Sequence, residues 1–468
     1  MNNIKVSDLK EAIRFLKTVD NTIKITDYKT KKSMIDFLQS VKYDFGSFNK
    51  KSNISKSFVT APTLPASKSK SKLPIPSAIP KPPTAPLPIS KPKPSTPKPI
   101  KVNDTDINII KRKNEGQFIP FVNRTTSNID DREFYFRNLL RYLNINVSSM
   151  NNCLEFTGFV NGKATFKIGN NIIAKNQIGT PSAYGIVYLS SFRDSDNKPF
   201  QYAIKIQLLI KQAILEIGTL ETLREALLRN VTPHFPYMYS VLYCNDVRED
   251  FKNIPKDDFK KFPNLIKNAY AKKTPIAMIL NELANGDLKT FIAYNSSNVN
   301  LLKNACMQAL IGIFTFNMVT NHYHNDTHWG NFLYHKIISG GYIHYRIQGI
   351  DYYLENLGYL FVIWDYGNIR SFSDIGYFIN GDIKQVLGAF RNKKDKGWAT
   401  DLDRNFSAFN LNIYNYIYHT FKGKNYNQKL MIEYISYIFN EYSKVNWILK
   451  NIPANAKIIN DKPYIINF

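Results

Sequence analysis

Apolar residues recur at two different periods along this chain. Near the start, Val6, Leu9, Ile13 and Leu16 fall at helical spacing with Ser7 offering an N-cap. After a polar turn, Ser33-Met34-Ile35-Asp36-Phe37-Leu38 opens a second helical run. Well beyond these, the segments 164–168, 171–175, 185–189 and 202–206 are short and rich in β-branched or aromatic residues, which predicts strands. Later stretches read as helical. From Leu301 to Val319 the positions Leu302, Ala305, Ala309, Ile313 and Phe316 predict a helix with one buried face. Strands first and mostly helices afterwards is the order of an α+β protein with two lobes. No internal repeat is visible.

Between the N-terminal helices and the strands the pattern lapses. Residues 62–99 hold 13 of the 23 prolines, interleaved with Lys and Ser. Such a segment cannot bury enough apolar surface to fold and samples polyproline II. The expected organisation is a small helical module over 1–48, a disordered Pro/Lys/Ser linker over 49–115, and one large domain over 116–468. That domain divides into a β-rich part at about 150–283 and a helical part at about 284–468. The pattern SDLKEAIRFL … YKTKKSMIDFL resembles a SAP-type helix–extended loop–helix module, which implies DNA binding; a plain helical hairpin or docking element carries the same pattern.

Composition adds bounds. With 468 residues, 44% hydrophobic and 14% aromatic, the chain has ample material for a core, which excludes global disorder and fibrous classes. Its longest apolar runs, such as 307–319, fall short of the roughly 20 residues of a membrane span, so no transmembrane segment is expected. The N-terminus carries no apolar stretch of the kind a secretory signal needs. Cys153, Cys244 and Cys306 are odd in number and far apart; they suggest neither a disulfide framework nor a zinc pattern, and fit a reducing compartment. The net charge is +25, and eleven lysines lie between Asp44 and Asp104 with no acidic residue among them. A basic tail of this kind suggests nucleic acid or another acidic partner, or else a merely solvated surface.

Four signals for chemistry follow one another. In Ile178-Gly-Thr-Pro-Ser-Ala-Tyr-Gly-Ile-Val-Tyr188 two glycines flank a hairpin, where backbone N–H groups can approach a phosphate; alone this is no more than a turn. In Tyr202-Ala-Ile-Lys-Ile206 a lysine interrupts an apolar strand, and a buried ammonium needs a partner. Candidate partners are Glu216, Glu221 and Glu225; Glu225 is preferred, with Glu221 one turn earlier as second choice. The segment His322-Tyr-His-Asn-Asp-Thr-His-Trp-Gly-Asn331 contains H-x-D-x-x-x-x-N as His324, Asp326 and Asn331, an acid to orient a hydroxyl and an amide oxygen for a cation. Thirty-four residues later, Ile363-Trp-Asp-Tyr-Gly367 offers Asp365 as a second metal-binding acid. Five of the seven histidines lie at 322–344, which leaves a metal site as an alternative use of this stretch, although no Glu sits between His324 and His328 as a zincin would need.

Together and in this order, these motifs resemble the protein-kinase-like family over residues 150–450. In style they are most similar to divergent Ser/Thr protein kinases of nucleocytoplasmic large DNA viruses. The resemblance implies a bilobal fold with a β-rich N-lobe and a helical C-lobe, and ATP and Mg²⁺ as cofactors. It implies Gly179, Ser182 and Gly185 over the phosphates, Lys205 paired with Glu225, and Val187, Ala203, Asn281, Leu283 and Asp287 among the nucleotide-binding residues. It also implies Asp326 and His328 in catalysis, Asn331 and Asp365 on the metal, and Asp382 bracing the catalytic loop. Protein substrates, and a place in the viral factory of the host cytoplasm and in the virion, are what that family style implies. Departures remain. The phosphate loop has one residue too many, and Pro181 stands where the middle glycine is expected. His328 replaces the usual lysine, as in aminoglycoside and choline kinases. Only 17 residues separate Asp365 from Asp382, with no A-P-E motif between. A small-molecule phosphotransferase and an inactive pseudokinase scaffold are the rival expectations.

Overall fold

The computed structural model describes residues 129, 131–143, 149–169, 172–178, 185–193, 199–372, 380–421, 424 and 428–467. The expected N-terminal helices, the Pro-rich linker, Gly179 and Ser182 all lie outside the described residues.

The described part is a mixed α+β structure with a large antiparallel sheet and a set of helices. Helix α1 (Asp131–Leu143) comes first. Strands β1 (Leu154–Val160), β2 (Lys163–Ile168), β3 (Ile172–Ile178), β4 (Gly185–Arg193) and β5 (Pro199–Leu208) follow as successive hairpins. Helix α2 (Lys211–Leu228) then leads to β6 (Met238–Cys244), and helix α3 (Asn264–Lys272) to β7 (Ile276–Asn281). The seven strands form one sheet in the order β1-β2-β3-β4-β5-β7-β6. Its inner face carries a knot of rings, Phe166 standing edge-on to Tyr188 and Phe262 with centroids 5.9 and 5.6 Å apart. Such pairs add to the burial of the rings themselves.

An open sheet leaves two edges with unpaired backbone groups. Here the two edge strands meet at one end. The N–H of Asn152 donates to the carbonyl of Tyr243 at 3.0 Å, and that of Asn245 to Met150 at 2.8 Å. Beside these bonds, Cys153 and Cys244 form a disulfide across 91 residues of sequence. This corrects the expectation that the cysteines pair with nothing. They are remote in the chain, but the order of the strands brings the start of β1 to the end of β6.

The second half is less purely helical than its sequence pattern suggests. Strand β8 (Gly286–Asp287) and helix α4 (Leu288–Asn295) precede the long helix α5 (Val299–Thr320). Then come β9 (His322–Tyr323), β10 (Phe332–Lys336), β11 (Tyr342–Ile347), β12 (Ile350–Glu355), β13 (Tyr359–Ile363) and β14 (Arg370–Ser371). Helices α6 (Asn380–Ala389), α7 (Arg404–Phe421) and α8 (Gln428–Lys444) and strand β15 (Tyr464–Ile466) complete it. Strands β10 and β13 pair antiparallel, as do β11 and β12.

Helix α5 is buried almost all round rather than on one face. Its polar residues are satisfied inside: Gln308 donates to the carbonyl of Tyr359 at 2.9 Å and accepts from the N–H of Phe361 at 2.9 Å, fastening β13 to the helix. Gly312 allows the close approach, since a Cβ there would lie 3.3 Å from both His234 and Ile363. Among the described residues α5 alone is long and apolar enough to cross a membrane, and 78% of its apolar window is buried inside the fold. It is a core helix.

Candidate active site

Lys205 lies near the middle of β5, with Val187 opposite it on β4 and Ile279 on β7. Its side chain is buried, and its Nζ donates to both Glu216 carboxylate oxygens (2.6 and 2.8 Å) and to Asp365 Oδ1 (2.9 Å). Burial alone would lower the lysine pKa, but the two carboxylates outweigh it and raise it, so the ammonium stays charged. Burial likewise pushes the Asp365 carboxyl up, yet Lys205 and the nearby histidines His324 and His328 hold it below its usual range.

The glutamate partner is Glu216, not Glu225. Helix α2 begins three residues after β5, so Glu216 falls in its second turn, beside the strand. Glu225 is nine residues further, about 14 Å along the axis at roughly 1.5 Å per residue, and on the opposite face at about 100° per residue. Glu221 is exposed. The signal that could have found Glu216 is its place on the helix's apolar stripe, with Ala213, Ile217, Leu220 and Leu223.

Gly185 faces the same lysine. A Cβ there would come 2.9 Å from Lys205 Cε, so a glycine at this point of β4 leaves room for the side chain to reach its partners. Ala203 is buried on β5.

The loop after α5 carries the remaining acids. Helix α5 ends at Asn321 in the left-handed conformation. Asp382, at the start of α6, holds the loop that follows: its Oδ2 accepts from the His324 N–H and its Oδ1 from the Asn325 N–H, both at 2.8 Å, and Thr327 Oγ1 donates to its carbonyl at 2.8 Å. Asn317 of α5 donates to the same carboxylate at 3.2 Å. The His324 ring is buried against Phe316 and Tyr366, its Nε2 3.1 Å from the Trp364 carbonyl. Asp326 is partly open to solvent.

The pairing of β10 with β13 sets the register of the metal-type residues. Phe332 stands opposite Ile363, so Asn331 and Trp364 are neighbours, and the Trp364 N–H donates to the Asn331 carbonyl at 2.7 Å. Asp365 follows with φ +65°, a left-handed residue that turns the chain at the end of β13. Asn331 donates through Nδ2 to the Asp326 carbonyl at 2.8 Å, which commits its nitrogen and leaves Oδ1 as a ligand atom. Carboxylate and amide oxygens are the hard donors Mg²⁺ takes, so the donor set of Asp365 and Asn331 fits that ion. His328 accepts from the Gly330 N–H through Nδ1 at 3.0 Å. In the neutral ring the proton then sits on Nε2, which points toward Asp326 Oδ1 at 3.7 Å.

The clustered histidines do not converge on one point. His322 bonds Thr320, His324 bonds Trp364, His328 faces Asp326, His335 lies beside Glu282, and His344 bonds Asp351. Tyr366 is buried, stacks on Phe316 at 5.5 Å and donates to the Ile363 carbonyl.

The segment after β7 holds a residue that sequence reasoning missed. Asn281 is buried, with its Oδ1 unbonded by protein, and Leu283 is half-buried. Between them Glu282 is buried and takes Arg132 of α1 in a two-pronged ion pair, 2.7 and 2.8 Å. Arg132 also donates to the carbonyls of Pro233 and Phe235. The signal was present: a glutamate directly after a strand whose first five residues are all apolar needs a buried cation. Asp287 caps α4, its Oδ1 accepting from the Thr290 N–H at 2.6 Å.

No protein-family model matches this chain, and no curated protein matches it.

Proposed function

We propose that the protein is an ATP- and Mg²⁺-dependent kinase that phosphorylates serine or threonine hydroxyls of proteins, on a bilobal protein-kinase-like fold. One observation carries this reading: Lys205, Glu216 and Asp365 meet in a single ion cluster, and the 2.7 Å bond from Trp364 to Asn331 joins that cluster to the loop bearing Asp326. A strand lysine, a helix glutamate and two metal-type residues beside a partly exposed acid form the combination that phosphoryl transfer needs.

In this reading Lys205 holds the charge of the nucleotide phosphates, and Glu216 keeps the ammonium in place. Asn331 and Asp365 hold Mg²⁺, which when bound neutralises phosphate charge. Asp326 orients the acceptor hydroxyl and takes its proton as the oxygen bonds to the γ-phosphorus; the bond to the bridging oxygen breaks and ADP leaves with the electron pair. His328, whose Nε2 is 3.7 Å from Asp326 Oδ1, steadies that carboxylate in this reading. In the same reading the backbone of Asn281 to Leu283 bonds adenine, and Val187 and Ala203, on the strands beside Lys205, pack against the base.

A second reading, a small-molecule phosphotransferase, is favoured by His328 and by the 17-residue interval between Asp365 and Asp382, which is short for a peptide platform. Labelled ATP separates the two. Asp326→Ala is expected to lower transfer to protein by about 10²–10⁴-fold, the range for one acid–base group, with nucleotide binding retained. Unchanged transfer in that variant rejects the assignment of Asp326. Label on metabolites and none on protein replaces the first reading with the second.

A further inference from the structure

The loop between α6 and α7 presents an unusual distribution of charge. It reads Lys393-Lys394-Asp395-Lys396-Gly397-Trp398, and its three lysines are exposed. None of them has an ion-pair partner among the described residues. The one carboxylate between them is drawn inward, where Asp395 Oδ2 accepts from Ser407 Oγ.

The loop is also tightly built. The Lys393 N–H donates to the Ala399 carbonyl at 2.7 Å, and the Asn392 side chain exchanges two bonds with Leu402. Lys396 is held at φ +58°, a conformation that few residues other than glycine and asparagine adopt readily. Gly397 next to it lies so close to Arg391 that a Cβ would sit 2.1 Å from its carbonyl oxygen. A rigid turn of this kind loses little freedom when it binds a ligand.

Its place decides what it could bind. Trp398 lies against Gly388 of α6 and meets Trp329 edge-on, centroids 5.7 Å apart. Trp329 follows His328 directly in the loop that carries Asp326, and the exposed Lys289 holds its Nζ 5.8 Å from the Trp329 ring. The lysines are therefore joined to the reactive loop through two touching indoles.

We propose that Lys393, Lys394 and Lys396, with Lys289 across the two tryptophans, form a docking surface for acidic acceptor peptides, so that the enzyme prefers hydroxyls flanked by carboxylates. This rests on the kinase reading above. Carboxylate side chains match the unpaired ammonium groups, and the peptide backbone would cross the indole faces to bring its hydroxyl to Asp326. Nucleic acid fits less well. A nucleic-acid backbone carries a charge at every nucleotide and calls for a longer run of cations than this cluster of four lysines.

The test compares a serine peptide flanked by glutamates with the same peptide flanked by glutamines. Wild type and the triple variant Lys393→Gln, Lys394→Gln, Lys396→Gln are measured both for labelled phosphate transfer and for binding of the fluorescent peptides by anisotropy. Wild type should bind the acidic peptide about tenfold more tightly and use it at a correspondingly lower KM, since exposed charge pairs are individually weak and add across three sites. The variant, which keeps only Lys289 of the four, should lose most of that preference, and rising salt should erase it in wild type. Binding of the acidic peptide that depends on the lysines, with no transfer to any acceptor, upholds the docking surface and rejects the kinase reading. Transfer to both peptides with no preference, and no change in the variant, overturns the docking surface while the kinase reading stands. A single-stranded oligonucleotide that binds through the same lysines and displaces the acidic peptide at lower concentration overturns the proposal in favour of nucleic acid.

Discussion

Glu216 and Glu225 lie on one helix, nine residues apart, and the difference between them is a matter of face and distance. Glu216 is buried against Lys205 and Asp365, whereas Glu225 is half-buried and makes no bond to that lysine. Removing one partner of a buried pair costs about 3–5 kcal/mol because it strands the other charge. Asp365 still neutralises part of Lys205, so Glu216→Gln is expected to lower stability by about 3 kcal/mol and, under the proposed kinase function, to weaken nucleotide binding with it. Glu225→Gln should stay within about 0.5 kcal/mol of wild type. Urea unfolding of the two variants checks this, and equal losses in both would overturn the assignment of Glu216. The contiguous motif around Asp326 was legible in the sequence because one short loop carries all its parts. The partner of Lys205 was harder, since three glutamates follow within one helix and motif spacing favoured the wrong one. The apolar stripe of α2 held the answer: a lone acid on the buried face of a helix must meet a cation.

At the scale of elements, helix α1 shows what periodicity alone did not reveal. Its segment was not read as a helix, yet Arg132 fastens it to the stretch after β7, and Phe136 stacks on Tyr237 at 5.3 Å. The apolar strand that leads into Asp365 was expected and is β13, whereas β10 to β12 were hidden, because most of the chain after the sheet follows a helical pattern. Alternation in YIHYRI was the signal passed over. Both misreadings concern elements held by long-range partners. The Arg132–Glu282 pair makes a prediction of its own. Although burial pushes the Glu282 carboxyl up, Arg132 and His335 outweigh it and bring it down to about 2. A carboxylate with a depressed folded pKa contributes stability that is present above its unfolded value and lost as pH falls toward the folded one. For Glu282 that window runs from about 4.5 to about 2. Arg132→Met should remove the depression and cost about 3–5 kcal/mol at neutral pH, leaving an unpaired buried acid. It should also flatten the acid limb in that window. The stability of both proteins against pH measures this, and an unchanged acid limb would show that Glu282 does not depend on Arg132.

The described residues are tied together by contacts remote in sequence, and two of these contacts respond to solution conditions. His234 is buried between α5 and β13, with Nδ1 2.7 Å from the Phe361 carbonyl and Nε2 2.8 Å from the Tyr345 hydroxyl. The neutral ring satisfies both, donating from Nδ1 and accepting at Nε2. Burial lowers its pKa to about 4 from 6.5. The unfolded chain therefore binds a proton that the folded one refuses, and stability should fall by up to about 3 kcal/mol as pH drops from 6.5 to 4, with no further loss from this group below. His234→Gln should be less stable at neutral pH but flatter across that range; a parallel curve would place the titration elsewhere. The disulfide acts at the same scale. Cys153 and Cys244 close the seam where the first and last strands of the sheet meet, and no local pattern could have paired them across 91 residues. Cross-linking a loop of that length restricts the unfolded chain by about 4–5 kcal/mol in the chain-entropy picture, and native links commonly contribute about 2–5 kcal/mol. The backbone bonds from Asn152 and Asn245 remain when the sulfurs part, so the sheet should keep its order of strands and lose only the covalent tie. Reduced wild type and the variant Cys153→Ser, Cys244→Ala should then unfold at the same urea concentration, both below the oxidised protein. If reduction leaves the wild-type midpoint unchanged, the seam is held by its backbone bonds and the packed rings behind them, and the disulfide adds nothing to the stability of the sheet.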